Sequence, residues 1–503
     1  MSSTSLERPA KPASGLGTRL LGLGIALAAM LAFAALPPFE GLPVAGQRAI
    51  GILIFAVILW ISEAVDTTVS AVLIAAAIIL LLGTAPDLQN PAREIGIARA
   101  RDWAIAGFAN NAVVLVGAAL VFAAAVSATG LDRRIALATL SRVGAGTKAV
   151  FGGTIVVGIL LAFLVPSATA RVSAVVPIVL GIIAAFGIQR ESRLAALLMI
   201  GSAQICSVMN IGVLTAAAQN ATMLGFTQRL LGASVSWFDW LVAALPFWLI
   251  MAPTVAVILW RFHRPEVDRI EGGAAAIRAD LSRLGPMTGA EWRTLLVGCG
   301  LLLTWATEGR VHSIDTASST ILAIALLLLP GIGVMSWKQA QASVPWGTLL
   351  LFGVGVALGT VLVTTRGAPW LANLIVEWFA LKSATPFVIV AVMSAFLIVV
   401  HLGFASATAL AAAFIPIVIS VLQEVAKAGV PVNVLGVTMI LQFAVSFGFM
   451  LVVNAPQNLV AFGTGTFGGR DFTRSGVVIT LAGYATILLL AATWWDWLGW
   501  MRG

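Results

Sequence analysis

The chain is a succession of apolar stretches of about 20 residues, each long enough to cross a hydrocarbon core of roughly 30 Å as a helix. They lie near 19–36, 48–64, 67–84 and 109–130, and recur to the end of the 503 residues. Only 10% of residues are charged and 60% are hydrophobic, too few charges to coat a water-soluble surface. Inside lipid every backbone N–H and C=O must be paired within the protein, which leaves helices or a closed barrel. Alternating ten-residue strands, the mark of a barrel, are absent from the sequence. The expected class is an all-α polytopic membrane protein.

The formal net charge of +8 does not point to nucleic acid, because the basic residues are scattered between apolar spans. With the N-terminus in the cytoplasm, eighteen of the 29 Lys and Arg fall inside, ten outside and one within the membrane. The reverse orientation reverses that bias, so a multi-pass inner-membrane protein with a cytoplasmic N-terminus is predicted, and the odd span count puts the C-terminus outside. Residues 1–17 are polar, lack a cleavable signal pattern and are read as a disordered cytoplasmic tail. Cys206 and Cys299 are far apart in apolar stretches, so neither a disulfide framework nor a metal site is expected.

The remaining organisation follows from Gly, Pro and charge punctuation. After the basic turn Asp132-Arg133-Arg134, the apolar region 148–186 is interrupted at Pro166-Ser167-Ala168-Thr169 and reads as a re-entrant hairpin. A broken span at 193–228, a span at 235–260 and a polar cytoplasmic linker, 261–293, follow. Spans near 293–309, 315–335 and 346–365 lead to a second hairpin, 381–424, a second broken span, 432–466, and a last span, 475–498. Trp494, Trp495, Trp497 and Trp500 read as interface anchors.

The two halves repeat one another. Ser167-Ala168-Thr169-Ala170 and Ser406-Ala407-Thr408-Ala409 are each followed, ten residues on, by Pro-Ile-Val, at Pro177 and Pro416. Ala218-Gln219-Asn220 and Pro456-Gln457-Asn458 follow in the same order, and the segment 114–126 echoes 350–362 upstream. One such motif alone would be read as small residues letting helices pack. An ordered pair of hairpins and broken spans instead brings helix N-termini and free amides to mid-membrane, where they can bind an anion. That is the pattern of inverted-repeat secondary transporters.

These residues resemble the divalent-anion:sodium symporter (DASS) family of di- and tricarboxylate transporters across nearly the whole chain. The family's Ser-Asn-Thr tips are similar to Ser167-Ala168-Thr169 and Ser406-Ala407-Thr408, and its Asn-Ile-Gly to Asn210-Ile211-Gly212. Its Pro-Pro-Asn segments are similar to those ending at Asn220 and Asn458; Ser62-Glu63-Ala64 and Trp346-Gly347 onward resemble it too. The resemblance implies an elevator-type transporter working as a homodimer, with two re-entrant hairpins and two broken helices. Scaffold spans would occupy 18–108 and 235–345, inverted repeats 109–234 and 346–474, and a final span 475–503. It further implies a substrate-binding set of Ser167, Ala168, Thr169, Asn210, Gly212, Thr215, Ser406, Ala407, Thr408, Asn454, Ala455, Pro456 and Asn458.

The chain departs from the family pattern where ions bind. Ala168 and Ala407 replace both motif asparagines, which disfavours sodium as a cofactor. Arg171 stands in an otherwise uncharged run, while the repeat-related position is Leu410. An arginine at a helix centre costs ~2.5–3.5 kcal/mol on insertion scales and tends to line a bundle interior or pathway. It joins the substrate-binding set as a fixed cation beside an anion, the alternative being a structural pair with Glu63 or Asp66. His401, five residues before the second tip, is either pH-sensitive or simply hydrogen-bonded structure. Sodium-independent exchange of small organic dianions is the leading expectation. Sodium-coupled symport through backbone ligands, or transport of sulfate or a sulfonate, are the alternatives. No intramembrane His/Asp/Glu cluster suggests an enzyme.

Overall fold

A computed structural model describes residues 16–144, 146–185, 188–269 and 273–503. The described residues form helices joined by turns, and nine helices are long and apolar enough to cross a membrane. The tail expected at 1–17 lies outside the described residues up to residue 15; Leu16 already opens the first helix.

The N-terminal part comprises α1 (Leu16–Ala35), α2 (Val44–Ser62), α3 (Thr67–Ala77, running into a π turn at Ile78–Leu82) and the short α4 (Ile97–Ala106). The first repeat follows. It contains α5 (Asn111–Thr129), α6 (Leu131–Arg142), the hairpin α7 (Thr147–Leu164) and α8 (Ala168–Ala185), and the broken pair α9 (Arg193–Gly212) and α10 (Ala218–Leu231). Next come α11 (Trp237–Phe262), α12 (Gly273–Arg283) in the linker, α13 (Gly289–Thr307), α14 (Thr316–Leu328) and α15 (Trp337–Ser343). The second repeat has α16 (Trp346–Thr364), α17 (Gly367–Trp378), the hairpin α18 (Pro386–His401) and α19 (Ala407–Lys427), and the broken pair α20 (Val434–Val445) and α21 (Pro456–Phe462). The chain ends with α22 (Gly469–Ala491) and α23 (Trp494–Trp497).

Between the hairpins lie the α9–α10 pair, α11, α13, α14 and α16, an odd number, as inverted repeats require. Leu296, Leu303, Leu322 and Leu481 are each more than half exposed, as the outer face of a lipid-embedded bundle requires.

Two readings of the sequence are corrected. Asp132-Arg133-Arg134 is not a turn but the first turn of α6. Gly130, in the left-handed region at φ 75°, ends α5 and lets the next helix start at once. Arg366, at φ 64°, does the same between α16 and α17, so the short helix belongs to both repeats. The C-terminal tryptophans do not act alike either. Trp497 is exposed, but Trp495 is fully buried and donates its indole N–H to Ala243 O at 2.9 Å, while Trp494 donates to Val242 O at 3.0 Å. They pin the chain end onto α11 because a buried indole N–H needs an acceptor.

The repeats interlock. α8 packs against α21 and α10 against α19, so each hairpin's inner arm lies on the broken pair of the other repeat. Three amides cross between repeats: Gln204 Nε2 donates to Phe449 O (2.9 Å), Gln457 Nε2 to Ser207 Oγ (3.0 Å) and Gln219 Nε2 to Ser446 Oγ (3.3 Å). Gln219 and Gln457 sit at matching repeat positions, beside Asn220 and Asn458. α16 runs close along this assembly: a Cβ on Gly359 would lie 2.4 Å from Pro416 and Phe226 side-chain atoms, and one on Gly355 2.5 Å from Ala412.

Candidate substrate-binding site

Four helices, α8, α10, α19 and α21, begin at the interruptions that the sequence marks. Helix starts leave backbone N–H groups without partners and carry partial positive charge. The two hairpin tips are built alike. Ser167 Oγ accepts from Ala170 N at 3.3 Å and Ser406 Oγ from Ala409 N at 3.4 Å, and each serine's backbone oxygen accepts the next N–H, from Arg171 and Leu410, at 3.0 Å. Both serines are therefore helix caps. Thr169 and Thr408 differ: their hydroxyls make no hydrogen bond within the described residues, and they remain available to a ligand. Ala168 and Ala407 lie beside them in the first turn of α8 and α19.

Arg171 is fully buried. Its guanidinium donates to Asn210 Oδ1 at 2.5 Å, to Cys206 O at 3.3 Å and to Val165 O at 3.3 Å. Neither Glu63 nor Asp66 takes part; Asp66 instead caps α3 through Thr68 N. Arg171 thus ties the first tip to α9, and Asn210, expected to face substrate, is its acceptor.

The second tip is tied by a different residue. Asn454 Nδ2 donates to His401 O (2.8 Å), Phe404 O (3.1 Å) and Leu402 O (3.4 Å), and its Oδ1 accepts from Leu451 N (3.1 Å). Val165 and Phe404 each lie two residues before their tip serine. Equivalent tip carbonyls are therefore held by a guanidinium in one repeat and an amide in the other. His401 Nε2 lies 3.3 Å from Asn454 O, and the ring is buried.

Asn220 and Asn458 are a true repeat pair. Asn220 Nδ2 donates to Asn210 O (2.7 Å), Leu214 O (3.2 Å) and Val213 O (3.3 Å); Asn458 Nδ2 donates to Gly448 O (2.8 Å) and Leu451 O (3.3 Å). They hold the unwound segments in shape. Thr215 Oγ1 accepts from Trp237 Nε1 at 3.2 Å, a Cβ on Gly212 would meet Trp248 at 2.9 Å, and Ala455 is buried; Pro456 is exposed. A cleft of about 20 Å³, room for about one water, lies at the first tip, lined in part by Pro166, Leu214, Thr215, Ala218 and, from α5, Val116. The tethering roles of Asn454 and Asn458 are not readable from sequence, because their partners are backbone carbonyls, which carry no sequence signature; that of Asn210 is not readable because its partner, Arg171, lies 39 residues away.

Inverted hairpins and broken helices inside a lipid-facing bundle define a secondary transporter. Residues 17–501 match the sodium:sulfate symporter transmembrane region, and the chain belongs to that family, as its likeness to the divalent-anion:sodium symporters indicated. A membrane protein of Cupriavidus necator is 50% identical over 95% of this chain and 93% of its own length. The citrate/succinate antiporter of Escherichia coli is 27% identical over 90% of this chain and 93% of its own, and that organism's L-tartrate/succinate antiporter 24% identical over 82% and 84%. Among solved structures, the Alcanivorax borkumensis YdaH transporter, of unusual topology, shares the fold with a TM-score of 0.55 at 13% identity, covering 89% of this chain and all of that one. The chain is thus a multi-pass membrane transporter rather than an enzyme.

Proposed function

We propose that the protein exchanges small organic dianions, di- or tricarboxylates, across the inner membrane without sodium. The observation that carries this reading is that backbone carbonyl oxygens at the tips and breaks are already taken. A bound alkali cation needs several carbonyl or hydroxyl oxygens in place of its hydration shell. Here those of Val165, Cys206, His401, Leu402 and Phe404 already accept N–H donors from Arg171 or Asn454. Asn220 and Asn458 occupy the carbonyls of the unwound segments in the same way. The antiport activity named for the E. coli relatives supports exchange of dicarboxylates.

In this reading the substrate carboxylates meet the free hydroxyls of Thr169 and Thr408, the capping hydroxyls of Ser167 and Ser406, and the helix starts at Ala168, Ala407 and Pro456. Arg171, Asn210, Asn454 and Asn458 shape the site from behind. A dianion beside one guanidinium leaves a net charge of −1, whereas the empty site retains an uncompensated cation. The partial positive charge of the helix starts at Ala168 and Ala407 offsets the −1 of the loaded site but adds to the cation of the empty one, whose movement through lipid costs ~2.5–3.5 kcal/mol or more, so the loaded site travels and the empty one stays. The hairpins and broken pairs, with α11 packed on α9, form the moving body, sliding as an elevator against the remaining spans in a homodimer with cytoplasmic N-termini.

Liposomes carrying the protein and loaded with succinate are expected to take up labelled succinate at least about tenfold faster than empty ones, consistent with a gated empty carrier. Equal rates would remove exchange. Competition by sulfate in place of citrate or tartrate would move the substrate class to inorganic oxyanions.

A further inference from the structure

The segment joining the two repeats is anchored at both ends, but to different parts of the protein. At its front, the Glu266 carboxylate accepts from Arg193 N (2.7 Å), Leu194 N (3.2 Å) and Arg193 Nε (3.3 Å), capping the start of α9. Burial opposes the charge on Glu266, but the N–H groups of Arg193 and Leu194 together hold its carboxyl below the usual range. Next to it, Val267 O accepts from Thr147 Oγ1 (2.6 Å) and Asp268 O from Thr147 N (3.0 Å), capping the start of α7. These three residues thus sit on the hairpin and broken helix of the first repeat.

At the rear, Arg134 of α6 grips the chain just before α13. It donates to Glu291 Oε1 (2.6 Å), Gly285 O (2.9 Å), Leu284 O (3.3 Å) and Pro286 O (3.3 Å). The Arg134 and Glu291 side chains are only 11% and 4% exposed, and a charged bond in so dry a place holds firmly. Between the anchors, α12 lies over α6 and α8. It does not fit closely there. A cavity of about 300 Å³ separates the three helices, lined by Leu137 of α6, Gly181 and Ile182 of α8, and Ala276, Ile277 and Ala279 of α12. The cavity forfeits dispersion contacts between α12 and α8, so sliding there breaks little packing.

We propose that the segment is a tether: residues 266–268 travel with α7 and α9, the rear anchor stays with α6 and α13, and α12 slides on α8. The proposal rests on the elevator reading above. Five Cα steps separate Asp268 from Gly273, which span at most about 18 Å when extended. A separation beyond that would pull α12 from α6 or break an anchor, so the tether also limits travel.

Cleavable, short thiol-to-thiol crosslinks test it in full-length protein carrying Cys299→Ser, since Cys299 is exposed whereas Cys206 is buried. A Cβ at Gly181 meets nothing within 4 Å, so cysteine fits there. Linking Gly181→Cys to Ala279→Cys joins α12 to α8 and is expected to cut succinate exchange at least about tenfold, with recovery on reductive cleavage. Linking Leu137→Cys to Ala276→Cys joins α12 to α6 and is expected to leave exchange within about twofold. Normal exchange with the first link, or loss with the second, overturns the tether. A third link, Val116→Cys to Ala218→Cys, joins α5 to α10 across the first cleft and separates the two readings. If it blocks exchange while the first link does not, only the tether fails; if it too is harmless, the elevator fails with it.

Discussion

Replacing Arg171 with leucine is expected to lower exchange by about a hundred- to a few-thousand-fold, the equivalent of the ~3–5 kcal/mol lost when one side of a buried charged pair, here the guanidinium beside the bound dianion, is removed. Leucine is the residue at the repeat-related position, Leu410, and fits a helix interior, so the loss is not one of helix formation. It removes the donor for Asn210 Oδ1, Cys206 O and Val165 O at once, and buried acceptors without donors cost more than the bonds themselves contribute. Arg171→Lys keeps the charge but not the planar fork, and is expected to recover only part. Since Arg171 acts from behind the tip, the measurement that matters is succinate affinity by calorimetry on folded variant protein, alongside its melting temperature. Unchanged affinity in protein that still folds would show Arg171 to be structural only, with no bearing on the anion.

The second large effect is expected at Asn454. Asn454→Ala leaves three tip carbonyls and Leu451 N without their partner. Alanine is the residue at the repeat-related position, Ala216, so the backbone there accepts it. Because Leu402 and Gly403 are exposed, water can replace some of the lost bonds. We therefore expect a loss of ~2–3 kcal/mol in tip order, or about thirty- to two-hundred-fold in exchange. Asn454→Asp should do worse, since its carboxylate faces three carbonyl oxygens at the same place. That variant also presents a cluster of unpaired oxygens, and sodium is expected to stimulate it several-fold, roughly the gain from neutralising one charge in a partly buried site. Indifference of the Asn454→Asp variant to sodium would show that tethering donors are not what keeps the cation out.

Much of this arrangement is legible in the sequence, and what is not has physical reasons. The hairpins and broken spans follow from where Ser167, Ser406, Asn220 and Asn458 interrupt apolar runs at matching spacing. Arg171 is visible as a charge with no counterpart in the other repeat. Its partners are not, since two are backbone carbonyls and the third, Asn210, is 39 residues away. The tip serines read as ligands for substrate, yet a hydroxyl at a helix start serves first as a cap. α6 and α17 escape a reading by apolar runs because a left-handed residue, Gly130 or Arg366, joins two helices without any apolar gap. α12 reads only as part of a polar linker, because its packing depends on α6 and α8 beneath it.

The central claim is that tethering by Arg171 and Asn454 takes the place of bound sodium. Its most direct test is succinate exchange in liposomes with choline replacing sodium on both faces, followed by sodium titration from zero. The expected result is a full rate in choline and a flat response to sodium. A rate that is negligible in choline and rises steeply with sodium would contradict it and establish sodium-coupled symport through backbone ligands.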